Sequence, residues 1–459
     1  MSAPSSPLLD FQCTCQTPPT VDLTECYLSK HGNNGENLQQ SPTDTATRTQ
    51  LLNHFETWGW TLVSLNLSRL PKNTPLFQCQ NHYMWKQDPQ NTISKLFDPE
   101  FCASNPFPQA TLRTAESGSA GESAVEPKQS WEIRRCSGLY DNANTATATT
   151  ASVDNHKHNH LLQDITAAMH SIITTIQSTL ELPQNLLVQQ QRKVDHNNSY
   201  SCSCQLQEKQ TVNPPCCNID LLRVFYYDKV DSPSSSSTSN NTSPLLGSSP
   251  HTDWGTWTVV WQDHVGGLQT YCHACQKWND VPAPTPHYNA IENNEKVSFV
   301  IHVGDATSLA MGCALQQFDG NSEDNHNTDP SENHFDKKKT TTTMPSYHWP
   351  SPKHRVLSPT TEPRASLVYF VYPPIGQSLA SLSEGLMPWV QSQYCCPSKE
   401  DTTTARKVST PYEEYFLLHD QSADDATGVK RSPKEVFNSI VKTPMEQVFA
   451  EKWNQVQRV

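Results

Sequence analysis

The stretch 249-SPHTDWGTWTVVWQDHVGGLQ-269 decides the fold. It opens on a polar His251-x-Asp253 pair and from Thr256 turns into β-branched and aromatic residues, the composition of a strand. Gly266-Gly267 then supplies turn residues, so strands are expected over 256–262 and 266–271. Residues i and i+2 of a strand point to one face. His251 and Asp253 at a strand edge would therefore aim an imidazole and a carboxylate at one point. Such a pair suits a metal, and it equally suits a polar turn ahead of an ordinary strand.

The rest of the chain sets the limits. Its 459 residues allow two to four domains of roughly 100–200 residues, or one large domain with insertions. With 35% hydrophobic residues, not all of it can be packed core. The net charge of −13 and the absence of a basic patch argue against nucleic acid as a partner. No apolar run approaches the ~18 residues of a membrane span. The first basic residue is Lys30, so no secretory signal is expected, and a cytoplasmic protein is. The fifteen cysteines then read as mostly reduced thiols.

Along the chain, residues 1–45 are polar and rich in Pro, Ser and Asn, and disorder is expected there. Leu51, Leu52 and Phe55 suit one helical face, Trp58-Gly59-Trp60 breaks it, and TLVSL (61–65) reads as a strand. Residues 137–160 look like an inserted loop. Ile165, Met169, Ile172, Ile173, Ile176 and Leu180 recur at helical spacing and predict an amphipathic helix over 161–181, closed by Pro183. Further strands are expected at 219–228, 297–303 and 366–372, with low-complexity insertions at 231–244 and 319–346. Helices before about residue 200 and strands from 219 to 373 predict an α+β architecture, helices packed around an antiparallel core. A capping box at Thr443-Pro444-Met445-Glu446 starts a C-terminal helix whose face is Met445, Val448, Phe449, Trp453 and Val456.

A third candidate ligand is His354, just ahead of the short apolar run Val356-Leu357. Two histidines and one carboxylate on one face of iron leave positions open for substrate and oxygen, whereas a closed four-ligand site would be structural. Ten residues beyond His354, Arg364 and Ser366 again share a strand face. A guanidinium grips a carboxylate bidentately and a nearby hydroxyl adds a hydrogen bond, so the pair would suit a dicarboxylate held by its far end.

This set resembles the isopenicillin N synthase-like branch of the iron(II)/2-oxoglutarate-dependent dioxygenases. The matching residues are His251-x-Asp253, His354-Arg355-Val356 and Arg364-x-Ser366, with the GGLQ hairpin (266–269), Trp278 and Val281 in a following strand, VSFVIHVGD (297–305) and FETWGWTLVSL (55–65) around them. The likeness is loose over 46–110 and close over 219–374. It implies a double-stranded β-helix, or jelly roll, over 219–375, preceded by a helical dioxygenase region over 46–210; the C-terminal capping box adds a helical extension over 376–459. It implies iron(II) on His251, Asp253 and His354, and 2-oxoglutarate as co-substrate on Arg364 and Ser366, with ascorbate an admissible addition. Tyr227 matches a tyrosine that touches 2-oxoglutarate, although Phe225 stands where many relatives carry an asparagine. The implied reaction uses O2 and oxidises a small organic metabolite, by hydroxylation, desaturation or ring closure, with release of succinate and CO2. An iron oxidase that does not use 2-oxoglutarate and a non-catalytic binding relative stay open. Asp253 and His354 stand farther apart than the family's spacing, which the 319–346 tract accounts for, because loop-closure cost grows slowly with length.

Other residues have blander readings. Cys272-x-x-Cys275 invites zinc, with Cys202-x-Cys204 or Cys216-Cys217 as partners, but it falls at an expected hairpin turn. His156, His158 and His160 read as solvated, Tyr369 and Tyr372 as core, and Asp305 as a turn residue. The sequence sets neither the substrate nor the oligomeric state.

Overall fold

Strands whose two faces are both buried read as unbroken apolar runs, and the chain assembles several of them side by side. The computed structural model describes residues 17–31, 42–81, 93–100, 110–113, 116–117, 125–126, 128–134, 153–183, 186–187, 220–230, 245–272, 275–284, 296–323, 349–374, 376–394, 441–445 and 447–449. In chain order the elements are β1 (Val21–Asp22), α1 (Thr24–His31), α2 (Pro42–Trp58), β2 (Trp60–Asn66), α3 (Pro75–Asn81), β3 (Ala110–Arg113), β4 (Glu116–Ser117), β5 (Val125–Glu126), β6 (Gln129–Arg134) and α4 (Val153–Thr179). There follow β7 (Leu221–Tyr227), β8 (Leu246–His251), β9 (Trp257–Gln262), β10 (Leu268–Cys272), β11 (Lys277–Asp280), β12 (Lys296–Val303), α5 (Asp305–Glu323), β13 (His354–Leu357), β14 (Arg364–Val371) and α6 (Leu379–Tyr394).

Eight strands form one sheet in the order β1-β2-β12-β9-β14-β7-β6-β3, antiparallel except for the β1–β2 pair. A second, antiparallel sheet runs β11-β10-β13-β8. The period-two alternation sorts the large sheet's side chains. Val63, Val259, Trp261, Phe299, Ile301, Leu367 and Tyr369 face helices, packing with Phe55 of α2 and Met169, Ile172 and Ile176 of α4. Leu62, Phe225, Tyr227, Val260 and Val300 form a separate cluster with Leu268 and Val356 of the small sheet and with Val281. The two sheets thus share an apolar layer, and polar residues of the same strand faces sit where they shape a site.

The helices and antiparallel core match the α+β expectation; several boundaries do not. Residues 17–31 fall in the segment expected to be disordered, yet form β1 and α1, with Val21, Leu23 and Tyr27 buried in the helix-side core. These sparse anchors suffice because Leu23 N donates to Ser64 O at 2.9 Å and ties the segment to β2. Residues 46–210 are not purely helical: β2, β3 and β6 complete the large sheet, β2 against β12 and β6 against β7. The expected loop 137–160 overlaps a helix, since α4 already begins at Val153; 137–152 lie outside the described residues. The insertion 231–244 also lies outside them, and α5 runs into the start of the 319–346 tract, the rest of which is not described. In the C-terminal extension, Met445, Val448 and Phe449 are buried, and Phe449 meets Tyr372 edge-on at 4.9 Å. Trp453 and Val456 lie outside the described residues. No described helix is long and apolar enough to cross a membrane.

Candidate metal centre

His251 ends β8, His354 begins β13, and the two are cross-strand partners. Asp253 lies in the loop that leads from β8 into β9. One ligand atom from each of the three residues lies within 4.8 Å of the others, and the group could hold a metal ion. Asp253 Oδ1 stands 3.6 Å from His354 Nε2 and 3.8 Å from His251 Nε2. Backbone carbonyls orient both rings: Nδ1 of His251 is 2.7 Å from Ser249 O, and Nδ1 of His354 is 3.0 Å from Pro352 O. A carbonyl only accepts, so each Nδ1 carries the proton and each Nε2 presents a lone pair to the centre.

The Asp253 loop is gripped by the turn between β12 and α5. Asp305 N donates to Asp253 O at 2.7 Å, Ala306 N donates to Gly255 O at 3.1 Å, and Thr252 Oγ1 donates to Asp305 Oδ2 at 3.1 Å. A Cβ on Gly304 would stand 2.1 Å from Gly255 O, so the close approach needs glycine there. Asp305 is thus the first residue of α5, where a turn residue was expected, and its work is to fix the ligand loop.

The charge states suit a divalent ion. Burial pushes the Asp253 carboxyl up, but His354, His302 and His251 around it outweigh this and hold it below the ordinary carboxylate range. Burial and the neighbouring His354 push His251 down to about 4, so its imidazole is neutral at pH 7. Two imidazoles and one carboxylate are the donor set of the facial iron triad. Asp253 Oδ2 is buried with no hydrogen-bond partner. A buried carboxylate left in this condition is costly unless a cation shares the site, so the residues fit a metal.

On the inner face of β14, Arg364 and Ser366 lie side by side, each 1% exposed. Arg364 Nη1 donates to Ser366 Oγ at 2.9 Å, Nη2 to Gln262 Oε1 at 3.4 Å, and Nε to Gly266 O. These acceptors take three of the guanidinium's five N–H groups and leave two for a ligand. Tyr227, register partner of Arg364, lies under the guanidinium with its ring centre 4.9 Å away. The structure thus brings Arg364, Ser366 and Tyr227 together, with the tyrosine bracing the arginine. Phe225 stacks beside Tyr227 at 6.0 Å.

No family model matches the chain, and no curated protein matches it. Among solved structures it is similar to a full-length Neurospora crassa protein crystallised in complex with alpha-KG. That match has 15% identity and a TM-score of 0.44, and covers 88% of this chain and 96% of the other. It is also similar to the rice dioxygenase for auxin oxidation, at 14% identity and a TM-score of 0.43, covering 89% of this chain and 98% of the other.

Two features of the site escape the motif reading. His302, on β12, is fully buried, with Nδ1 3.6 Å from Asp253 Oδ2 and its ring 4.6 Å from that of His354. Its signal is a lone histidine inside the apolar run VSFVIHV. Glu126 and Lys128 form a buried ion pair at 2.5 Å, and Glu126 accepts from Ser249 N, behind the carbonyl that orients His251. Cys272 and Cys275 lie at the β10–β11 hairpin turn, as expected; Cys272 is a free thiol and Cys275 is disulfide-bonded, so the two do not present a thiolate pair to zinc. Cys202, Cys204, Cys216 and Cys217 lie outside the described residues, as do the side chains of His156, His158 and His160. Tyr369 and Tyr372 are core residues, as expected.

Proposed function

We propose that the chain is a non-haem iron(II)- and 2-oxoglutarate-dependent dioxygenase with a jelly-roll core, of the isopenicillin N synthase-like kind, acting on a small organic metabolite. The observation that carries this reading is the convergence of His251 Nε2, His354 Nε2 and Asp253 Oδ1, each imidazole held in the ligating tautomer by a backbone carbonyl. Bound there, iron(II) supplies the activation of O2 that couples oxidative decarboxylation of the keto acid, to succinate and CO2, with hydroxylation, desaturation or ring closure of the substrate.

The chain's own residues bind and orient. Three protein ligands on one side leave the opposite positions for other molecules. Arg364, with two uncommitted N–H groups and Ser366 beside it, receives the distal carboxylate of 2-oxoglutarate, and Tyr227 fixes the plane of the guanidinium. Val260 and Val300, on the same inner layer, keep water from the buried side. His251, with 27% of its side chain exposed against 8% for His354, marks the side from which substrate enters.

The test is anaerobic addition of iron(II) and then 2-oxoglutarate. A visible charge-transfer band is expected with the keto acid in the wild type and not in His251→Ala, and O2 then releases succinate. Bound iron without the band favours an oxidase that does not use the keto acid, and no iron binding refutes the reading.

A further inference from the structure

Buried polar atoms in folded proteins nearly always have partners, and a cluster of exceptions calls for an explanation. Behind Asp253 there is such a cluster. Asp253 Oδ2, both ring nitrogens of His302 and Oγ1 of Thr258 are all buried without a hydrogen bond. His302 and Thr258 are register partners across the β12–β9 ladder, so their side chains share the inner face. Val300, two residues earlier on that face, is apolar and packs without cost. A leucine at 302 would do the same, so a fully desolvated histidine there is not required by packing.

We infer that His302 is a positioning residue for the metal centre, its Nδ1–H donating to Asp253 Oδ2 so that Oδ1 stays turned toward His251 and His354. This rests on the iron-site reading above. The two oxygens of Asp253 face opposite ways: Oδ1 lies 3.6 Å from His354 Nε2, and Oδ2 lies 3.6 Å from His302 Nδ1. His302 approaches the oxygen that the other two histidines do not, and among the described residues the convergent ligand group is His251, Asp253 and His354 without it. That places it behind the ligand and not on the metal. The contact is longer than a hydrogen bond as it stands, and closing it by about half an ångström reaches bonding range. Partners of ligating carboxylates fix which oxygen ligates, and their loss typically weakens metal binding or activity by about 10–100-fold.

The test compares His302→Leu, which fills the space without a donor, with His302→Asn, whose amide nitrogen stands where Nδ1 does. Cobalt(II) affinity is measured by chelator competition on the metal-free proteins, with thermal melts as the check on folding. His302→Leu is expected to bind cobalt(II) about 10–100-fold more weakly than wild type, and His302→Asn close to wild type. Should His302→Leu not fold, His302→Met carries the same comparison. Wild-type affinity in the folded apolar variant overturns the inference. Equal loss in the apolar and asparagine variants overturns it too, since that outcome makes His302 a ligand or a structural residue. Wild type that binds no metal refutes the iron-site reading itself, a result separate from either of these.

Discussion

Two buried histidine–aspartate groups sit on opposite faces of the same sheet, and they are finished differently. On the helix side, Tyr369 donates to Asp220 Oδ2 at 2.8 Å, Tyr372 N donates to Asp220 Oδ1 at 3.4 Å, and His170 Nδ1 lies 3.2 Å from the Tyr369 oxygen. Both carboxylate oxygens are satisfied from within the protein. On the inner side, Asp253 and His302 are as deeply buried, yet Oδ2 and both ring nitrogens are left without partners. A closed polar network fixes the packing of a core; an open one costs stability unless something else completes it. The difference separates a staple from a site more sharply than residue type does, since both groups contain histidine and aspartate.

The largest expected contrast is between the two aspartates. Asp253→Ala is expected to abolish stoichiometric metal binding while leaving the metal-free protein folded, because it removes the one carboxylate of the candidate ligand group. Calorimetric metal titration and denaturant unfolding of the metal-free protein measure the two effects. Next, Arg364→Lys should weaken 2-oxoglutarate by about 10-fold or more, through loss of charge-assisted hydrogen bonds worth about 1.5–3 kcal/mol, with metal affinity unchanged. Equal loss of both ligands in a pair of titrations would count against the anchor assignment. Asp220→Ala reverses the pattern of Asp253→Ala: it removes the buried carboxylate to which the Tyr369 hydroxyl and Tyr372 N donate and should cost about 1–3 kcal/mol of folding stability, with metal binding kept. Tyr369→Phe is the mildest change, about 1 kcal/mol by urea unfolding, again with metal binding intact.

The candidate site was legible in part because local spacing carries two of its pairs, while His354 joined them through the family resemblance. His251 and Asp253 are two apart, as are Arg364 and Ser366, and each pair needs only the strand period to share a face. His354 precedes an apolar run short enough to read as a strand. His302 was not legible, because one histidine within VSFVIHV looks like any satisfied core residue until its neighbours are placed. The same holds for β1 and α1, whose few apolar residues gain their meaning from β2 and α4. The strands β3 and β6 escaped for a related reason. They belong to the large sheet only through pairing with β7, a contact between segments far apart in the chain. The disulfide at Cys275 has no local signal at all.

On the proposed function, the inner cluster holds a metal and the helix-side cluster does not. Anaerobic iron(II) titration of the wild type beside Asp253→Ala and Asp220→Ala tests it most directly. One equivalent bound by the wild type and by Asp220→Ala, and none by Asp253→Ala, is the predicted result. Iron binding by Asp253→Ala at wild-type affinity would contradict it.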